Sequence, residues 1–185
     1  MKQNKKIVIE MACSANGYIA TLDNNEDFLS NRNYQIMLEF LKEYDCLVWG
    51  RKTFENVSTW GENYIDDLKD TKVIVLSTTR QNTNKYPNVY YCSSIDKCLE
   101  LCEEMNLNKI LVSGGANTNN GFMNKNIVDE IIINYNPYLF NKGIPLFEGN
   151  YFERELELLE VKKETEDIVQ IRYKVNNKGE NYENN

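Results

Sequence analysis

Short apolar runs alternate along this chain with segments whose apolar positions recur every three or four residues. IVIEMAC (7–13) predicts a buried strand, interrupted only by Glu10. SANGYIAT follows as a loop around Gly17. From Asn33, the spacing of Tyr34, Met37, Leu38, Leu41 and Tyr44 is that of one helix face. CLVWG is a second short strand, after which Phe54 and Val57 begin a helix. KVIVLSTTR (72–80) is a β-branched strand ending in hydroxyls, and NVYYC is another. Ile95, Leu99, Cys102 and Met105 mark a helix face, with Cys98 beside it. KILVSGG predicts a strand ending in two glycines, and a helical stretch then runs to about Asn126. EIIINYNP is the next strand. Val169, Ile171, Tyr173 and Val175 alternate as in a half-exposed antiparallel strand.

Strands alternating with helices predict an α/β layer fold around a largely parallel sheet. Such folds seat ligands at the carboxyl ends of strands. Three suggestive segments, Gly50–Thr53, Ser77–Arg80 and Gly114–Thr118, fall there.

Length and composition then narrow the class. A chain of 185 residues with 42% hydrophobic and 26% charged residues predicts one globular domain with its own core, here 1–175. The polar tail 176–185 is expected to be disordered. A formal net charge of -7 argues against nucleic-acid binding, yet a small anion remains open where a few positive groups and helix N-termini converge. Five cysteines without C-x-x-C spacing, and no signal-peptide pattern, predict a reduced, cytoplasmic chain. Cys98 and Cys102, one helical turn apart, read as core thiols, and no metal site is expected. No segment is long enough to span a bilayer.

The chain contains no histidine, which excludes histidine triads, histidine general bases and His-ligated zinc. Acid–base work falls to carboxylates, Tyr, Lys, Cys or water. Glu10 lies within a predicted buried strand, where an unpaired carboxylate is costly and needs a partner, an altered pKa or a wet pocket. Asp27 precedes the first helix, where a dipole-stabilised carboxylate is the plainer explanation. Trp49, Phe54 and Asn134 are candidates to line a pocket, with core packing the commoner role for the aromatics.

The three strand ends each carry anion-binding chemistry. In GRKT, Gly50 leaves room for a pyrophosphate, Arg51 can fork onto it and Thr53 adds a hydroxyl at the helix start. In LSTTR, the hydroxyls of Ser77, Thr78 and Thr79 with Arg80 suit a ribose 2′-phosphate and so favour NADP(H) over NAD(H). In SGGANTNNGF, two adjacent glycines allow close backbone approach to a ligand. Each segment is equally consistent with an ordinary turn, and G-x-G-x-x-G is absent.

Taken in order, SANGYIAT, VWGRKTFE, VIVLSTTR, LVSGGA and NIVDEIIINYNPYLFNKGIPLF resemble the dihydrofolate-reductase-like superfamily across about Lys6 to Val175. Within it the chain is most similar to the reductase domain of the bifunctional riboflavin-biosynthesis deaminase-reductase. The resemblance implies a three-layer fold, with helices on both faces of a mostly parallel sheet and an antiparallel C-terminal strand pair. It implies an NADPH-dependent reductase acting on a pteridine-like or pyrimidine-like heterocycle. Gly50, Arg51, Lys52 and Thr53 would hold cofactor phosphates, and Ser77 to Arg80 the adenosine 2′-phosphate. Gly114 and Gly115 would face the cofactor, followed by Ala116, Asn117 and Thr118. Ala12, Gly17, Tyr18 and Ile19 would close over the nicotinamide. A homodimer is a further family expectation. The riboflavin-type loop usually reads Asp-Gly, whereas this chain has Asn16-Gly17, so the amide at Asn16, a candidate substrate contact, cannot act as a carboxylate. A nucleotide-binding protein without turnover and a true dihydrofolate reductase are the alternatives.

Overall fold

The computed structural model describes residues 5–60, 62–79 and 86–177. β1 (Lys6–Ser14) and β3 (Cys46–Gly50) are central, with β4 (Lys72–Leu76), β5 (Val89–Cys92), β6 (Lys109–Val112) and β7 (Glu130–Asn136) beside them. β9 (Glu155–Lys163) and β10 (Val169–Asn176) complete an eight-stranded sheet of order β5-β4-β3-β6-β1-β7-β10-β9. Every pairing from β5 to β7 is parallel, and β10 and β9 are antiparallel.

Strand alternation sorts side chains onto two faces, each covered by helices. Ile7, Ile9, Met11 and Cys13 of β1 pack with residues of α4 (Ile95–Glu104) and α5 (Ala116–Asn124). Val8 packs on the other side with α1 (Asn31–Leu41), α2 (Arg51–Val57) and α3 (Glu62–Asp66). These are the three layers that the resemblance implied. All five cysteines are buried free thiols, Cys98 and Cys102 among them. No helix among the described residues is long and apolar enough to cross a membrane.

Three expectations change in detail. The loop SANGYIAT contains a short strand, β2 (Tyr18–Ala20), paired with β8 (Ile144–Pro145). Gly143 permits that pairing, since a Cβ there would lie 2.6 Å from the Ala20 carbonyl. In β10 the buried residues are Gln170 and Val175, whereas Val169 is exposed, so the alternation of apolar residues does not mark the buried face. At the C-terminus β10 ends at Asn176, and Asn177 Nδ2 donates to the Val128 carbonyl at 2.9 Å. Residues 178–185 of the expected tail lie outside the described residues.

The last strands leave apolar surface bare. Register sets Leu156, Leu158 and Val161 of β9 beside Val175, Tyr173 and Ile171, yet Leu158 and Val161 are exposed.

Candidate functional site

The β1 face that carries Val8 also carries Glu10 and Ala12, and here the packing opens into a cavity of about 430 Å³. That volume lies within the range of about 300–1,000 Å³ typical of small-molecule sites. Glu10 lines it and is almost fully buried. An isoleucine there would gain about 2 kcal/mol from burial, so a carboxyl is a costly choice that local partners must offset.

Those partners form a chain of amides. Asn134 Nδ2 donates to Glu10 Oε1 at 2.5 Å, and Gln170 Nε2 donates to Asn134 Oδ1 at 2.8 Å. Beside it, Asn33 Nδ2 donates to Asn136 Oδ1 at 2.7 Å, while Asn136 Nδ2 donates to the Cys13 carbonyl. Register explains the grouping, because Ala12 pairs with Asn134 and Asn134 with Gln170. Burial pushes the Glu10 carboxyl up to about 8, against hydrogen bonds to Asn134 and Ser113 that favour the charged form. It is therefore largely protonated at neutral pH.

A second carboxyl, Glu26, shares the cavity. Burial pushes it up to about 7, opposed by a hydrogen bond from Asn56 Nδ2 to Glu26 Oε1 at 3.2 Å. Asp27 also lines the cavity, with its side chain exposed and accepting from Asn25 Nδ2 at 2.6 Å. Trp49 forms one wall. Tyr34, Tyr64 and Trp60 form another, with ring centroids 4.4 Å apart for the tyrosines and 5.4 Å for Trp60–Tyr64.

At the carboxyl end of the sheet, β4, β3 and β6 are adjacent and parallel, so their C-terminal turns meet along one edge. Gly50 N donates to the Gly114 carbonyl at 2.8 Å, and Ser113 N to the Val48 carbonyl at 3.0 Å. Gly114 has φ +86° and is joined to Gly115 by a cis peptide bond. Gly114, Gly115 and Thr53 reach the cavity wall. Thr118 and Ala116 begin α5 just behind, and no side chain caps that helix or places an acid in its first turn. Its N-terminal amides therefore suit an anion. Arg51 is paired with Glu55 at 3.0 Å, and Lys52 is exposed. On the neighbouring turn, Ser77 Oγ donates to the Thr79 carbonyl at 2.6 Å, with Thr78 and Thr79 exposed. Arg80 lies outside the described residues.

The glycines allow this convergence. A Cβ on Gly50 would sit 2.5 Å from Thr118 Oγ1, and one on Gly115 3.2 Å from Thr53 Oγ1. Gly50→Ala should cost about 1–3 kcal/mol from overpacking. Gly50→Ala with Thr118→Ala should recover most of it, because the obstructing oxygen is gone. Urea denaturation of the two variants checks this.

Of the remaining sequence candidates, Ala12 and Ile19 line the cavity. Gly17 and Tyr18 instead fasten the loop, since Leu146 N donates to the Gly17 carbonyl at 3.2 Å and Tyr18 pairs with Pro145. Asn117 Nδ2 reaches outward to Glu148 Oε2 at 3.1 Å. Three expected pocket residues do not line it. Phe54 is buried in the core against the edges of Tyr86 and Tyr91. Asn16 sits in the turn closed by Gly17 N donating to the Ser14 carbonyl, and its Nδ2 donates to the Phe140 carbonyl at 2.6 Å, tying that turn to the segment after β7. Asn134 is wholly buried behind Glu10 and acts through it. Glu26, Ser113 and the Tyr34–Tyr64–Trp60 wall were not singled out from sequence. Ser113 stands immediately before the quoted glycines, and Tyr34 was read only as a helix face. Nothing in the acidic run DNNED distinguishes Glu26 from its neighbours.

The family model of the RibD C-terminal domain matches residues 5–170. The uncharacterized protein YyaP of Bacillus subtilis is 25% identical over 183 residues, covering 92% of this chain and 95% of that protein. A pyrimidine reductase-like protein from Corynebacterium diphtheriae superposes with a TM-score of 0.72 at 15% identity, covering 92% of each chain. The diaminohydroxyphosphoribosylaminopyrimidine deaminase/5-amino-6-(5-phosphoribosylamino)uracil reductase of Thermotoga maritima gives 0.71 at 14% identity, covering 92% of this chain and 56% of that one.

Proposed function

Because the chain belongs to the RibD C-terminal domain family, whose members are riboflavin-biosynthesis-reductase-like, we propose that it is an NADPH-dependent reductase of a small nitrogen heterocycle. The observation that carries this reading is the position of a buried carboxyl and a double-glycine strand end in the walls of one cavity. A bound nicotinamide supplies hydride; orientation and the proton are the protein's part.

The residues present fit the dinucleotide. Glycine backbones at Gly50 and Gly115, the uncapped start of α5, the hydroxyls of Thr53 and Thr118 and the cations Arg51 and Lys52 make a cradle for a pyrophosphate. Ser77, Thr78, Thr79 and Arg80 serve the 2′-phosphate. Ala12 and Ile19 bound the nicotinamide end, beside Gly114 and Gly115. Glu10 holds a proton in the cavity wall, where a ring nitrogen reduced at its neighbouring carbon can take it. Asn134 keeps Oε1 fixed and so orients the acid.

NADPH titration by fluorescence or calorimetry tests the reading, and no binding at millimolar cofactor defeats it. Arg80→Ala should weaken NADPH by about 10–100-fold and leave NADH nearly unchanged, the effect of one charge-assisted phosphate contact. Arg51→Ala should weaken both alike. Equal losses in Arg80→Ala would remove the 2′-phosphate assignment.

A further inference from the structure

The hairpin of β9 and β10 is sorted into an apolar and a polar face. Cross-strand pairing sets Leu156, Leu158 and Val161 on the same side as Val169, Ile171 and Tyr173. The other side carries Glu155, Glu157, Glu160 and Lys162 beside Arg172 and Lys174. Ion pairs knit that polar side, Glu157 to Lys174 at 3.6 Å and Arg172 to Glu130 at 2.6 Å. An antiparallel sheet sorted in this way normally buries its apolar face and leaves the polar one to water. Here the apolar face is bare as well, with Leu158 57% and Val161 59% exposed. Every residue of β9 is exposed. A contiguous apolar patch of this kind marks a contact surface.

Whatever covers the patch must be apolar at its centre and match the charges around it. The C-terminal residues 178–185, KGENYENN, offer one large apolar side chain, Tyr182, and are too polar for that role. β9 itself has the required complementarity. Its charges are segregated along the strand, with Glu155, Glu157 and Glu160 towards the start and Lys162 and Lys163 at the end. Two such strands laid antiparallel about a two-fold axis bring the acidic start of each to the basic end of the other, and Leu158 of each towards Val161 of the other.

The sheet edge is protected where the face is not. Pairing with β10 skips Leu159, where the register shifts between Arg172 and Tyr173, and the strand ends in two lysines. A bulge and edge lysines hinder the addition of a further strand. Stacking of apolar faces, as between the sheets of a sandwich, needs no ladder hydrogen bonds and is unaffected by either.

We propose that the β9–β10 face docks a second copy of this chain, the two hairpins stacked antiparallel about a two-fold axis. Leu156, Leu158, Val161, Val169, Ile171 and Tyr173 form its dry centre. This gives a surface to the homodimer expected from the sequence, and it does not depend on the reductase reading.

Sedimentation equilibrium of the full-length protein over a range of concentrations tests the proposal. The wild type is expected to be a dimer at micromolar concentration. Leu158→Glu should weaken the dimer by about 100-fold or more, since each copy then places an unpaired carboxylate in the dry centre. Leu158 is exposed in the single chain, so circular dichroism should show the fold intact. Leu22→Glu alters an equally exposed leucine, on the loop whose Asn24 carbonyl accepts from Asn56 of α2, and should leave the dimer unchanged. Glu155→Lys and Lys163→Glu should each weaken it by about 2–10-fold at low salt, by setting like charges together at the rim. The double variant should recover the wild-type affinity, because the charges have exchanged places. A wild type that stays monomeric at millimolar concentration would overturn the proposal and leave the face to another partner. So would a dimer that survives Leu158→Glu, or charge variants that do not rescue each other.

Discussion

Glu10→Gln should lower turnover by about 10²–10⁴-fold while making the protein more resistant to urea at alkaline pH. Both effects have one cause. In the unfolded chain this carboxyl ionises near its ordinary value of 4.5, whereas burial in the folded protein holds the proton up to about 8. Between those values the folded state keeps a proton that the unfolded state has released. Stability from this group is therefore full below about 4.5 and declines as pH rises, the loss being complete above about 8. The cost is on the order of 5 kcal/mol by linkage. Glutamine has no proton to lose, so the variant should gain on the wild type from pH 5 to pH 9. Glu26, also raised, is present in both proteins and cancels in the comparison. Wild-type turnover should fall above about pH 8, as the acid ionises. Unchanged turnover in the variant, or no difference in the pH dependence of unfolding, would remove Glu10 as the proton donor.

Asn134→Leu should destabilise the fold by about 2–4 kcal/mol, because it leaves two buried polar groups without their partner. Glu10 Oε1 loses its donor and Gln170 Nε2 its acceptor, both in the interior. One of the hydrogen bonds that favour the charged carboxyl also disappears, so the Glu10 pKa rises further. The alkaline limb of the pH–rate profile should move upward, a displacement that a merely looser core would not produce. Asn134→Asp, which keeps the size but removes the donor, should move it in the same direction. Thermal unfolding and a pH–rate series on the two variants check both parts, and a profile that stays in place would reduce Asn134 to a packing residue.

Much of the fold was legible because local chemistry repeats the tertiary arrangement. Val73, Ile74 and Val75 are apolar on both sides, as a strand covered on both faces must be, and they occupy the interior of β4. Gly50, Ser77 and Gly114 stand where apolar runs stop, which is where parallel strands release the chain towards their crossovers. Glu10 was conspicuous for the opposite reason, as a charge in an apolar run. Legibility stopped where a residue's role depends on distant neighbours. Asn134 was a pocket candidate from sequence, and only the register, which pairs it with Ala12 and Gln170, and its bond to Glu10 place it behind the cavity wall. Phe54 follows GRKT and invites assignment to the ligand, yet α2 directs it into the core. Val169, Ile171, Tyr173 and Val175 do form the half-exposed antiparallel strand their alternation predicts, but Gln170, a polar residue between them, is buried where Val169 is exposed.

By itself, then, the order of apolar runs and glycines determined an α/β chain whose parallel strands end in glycine- and hydroxyl-bearing turns, because periodicity and backbone freedom are local properties. Only the tertiary structure decided that Glu26 and a wall of tyrosine and tryptophan share a cavity with Glu10 and that no described lysine or arginine lines it. Charge and burial at a point in space are sums over residues far apart in the chain, and no stretch of sequence contains that sum.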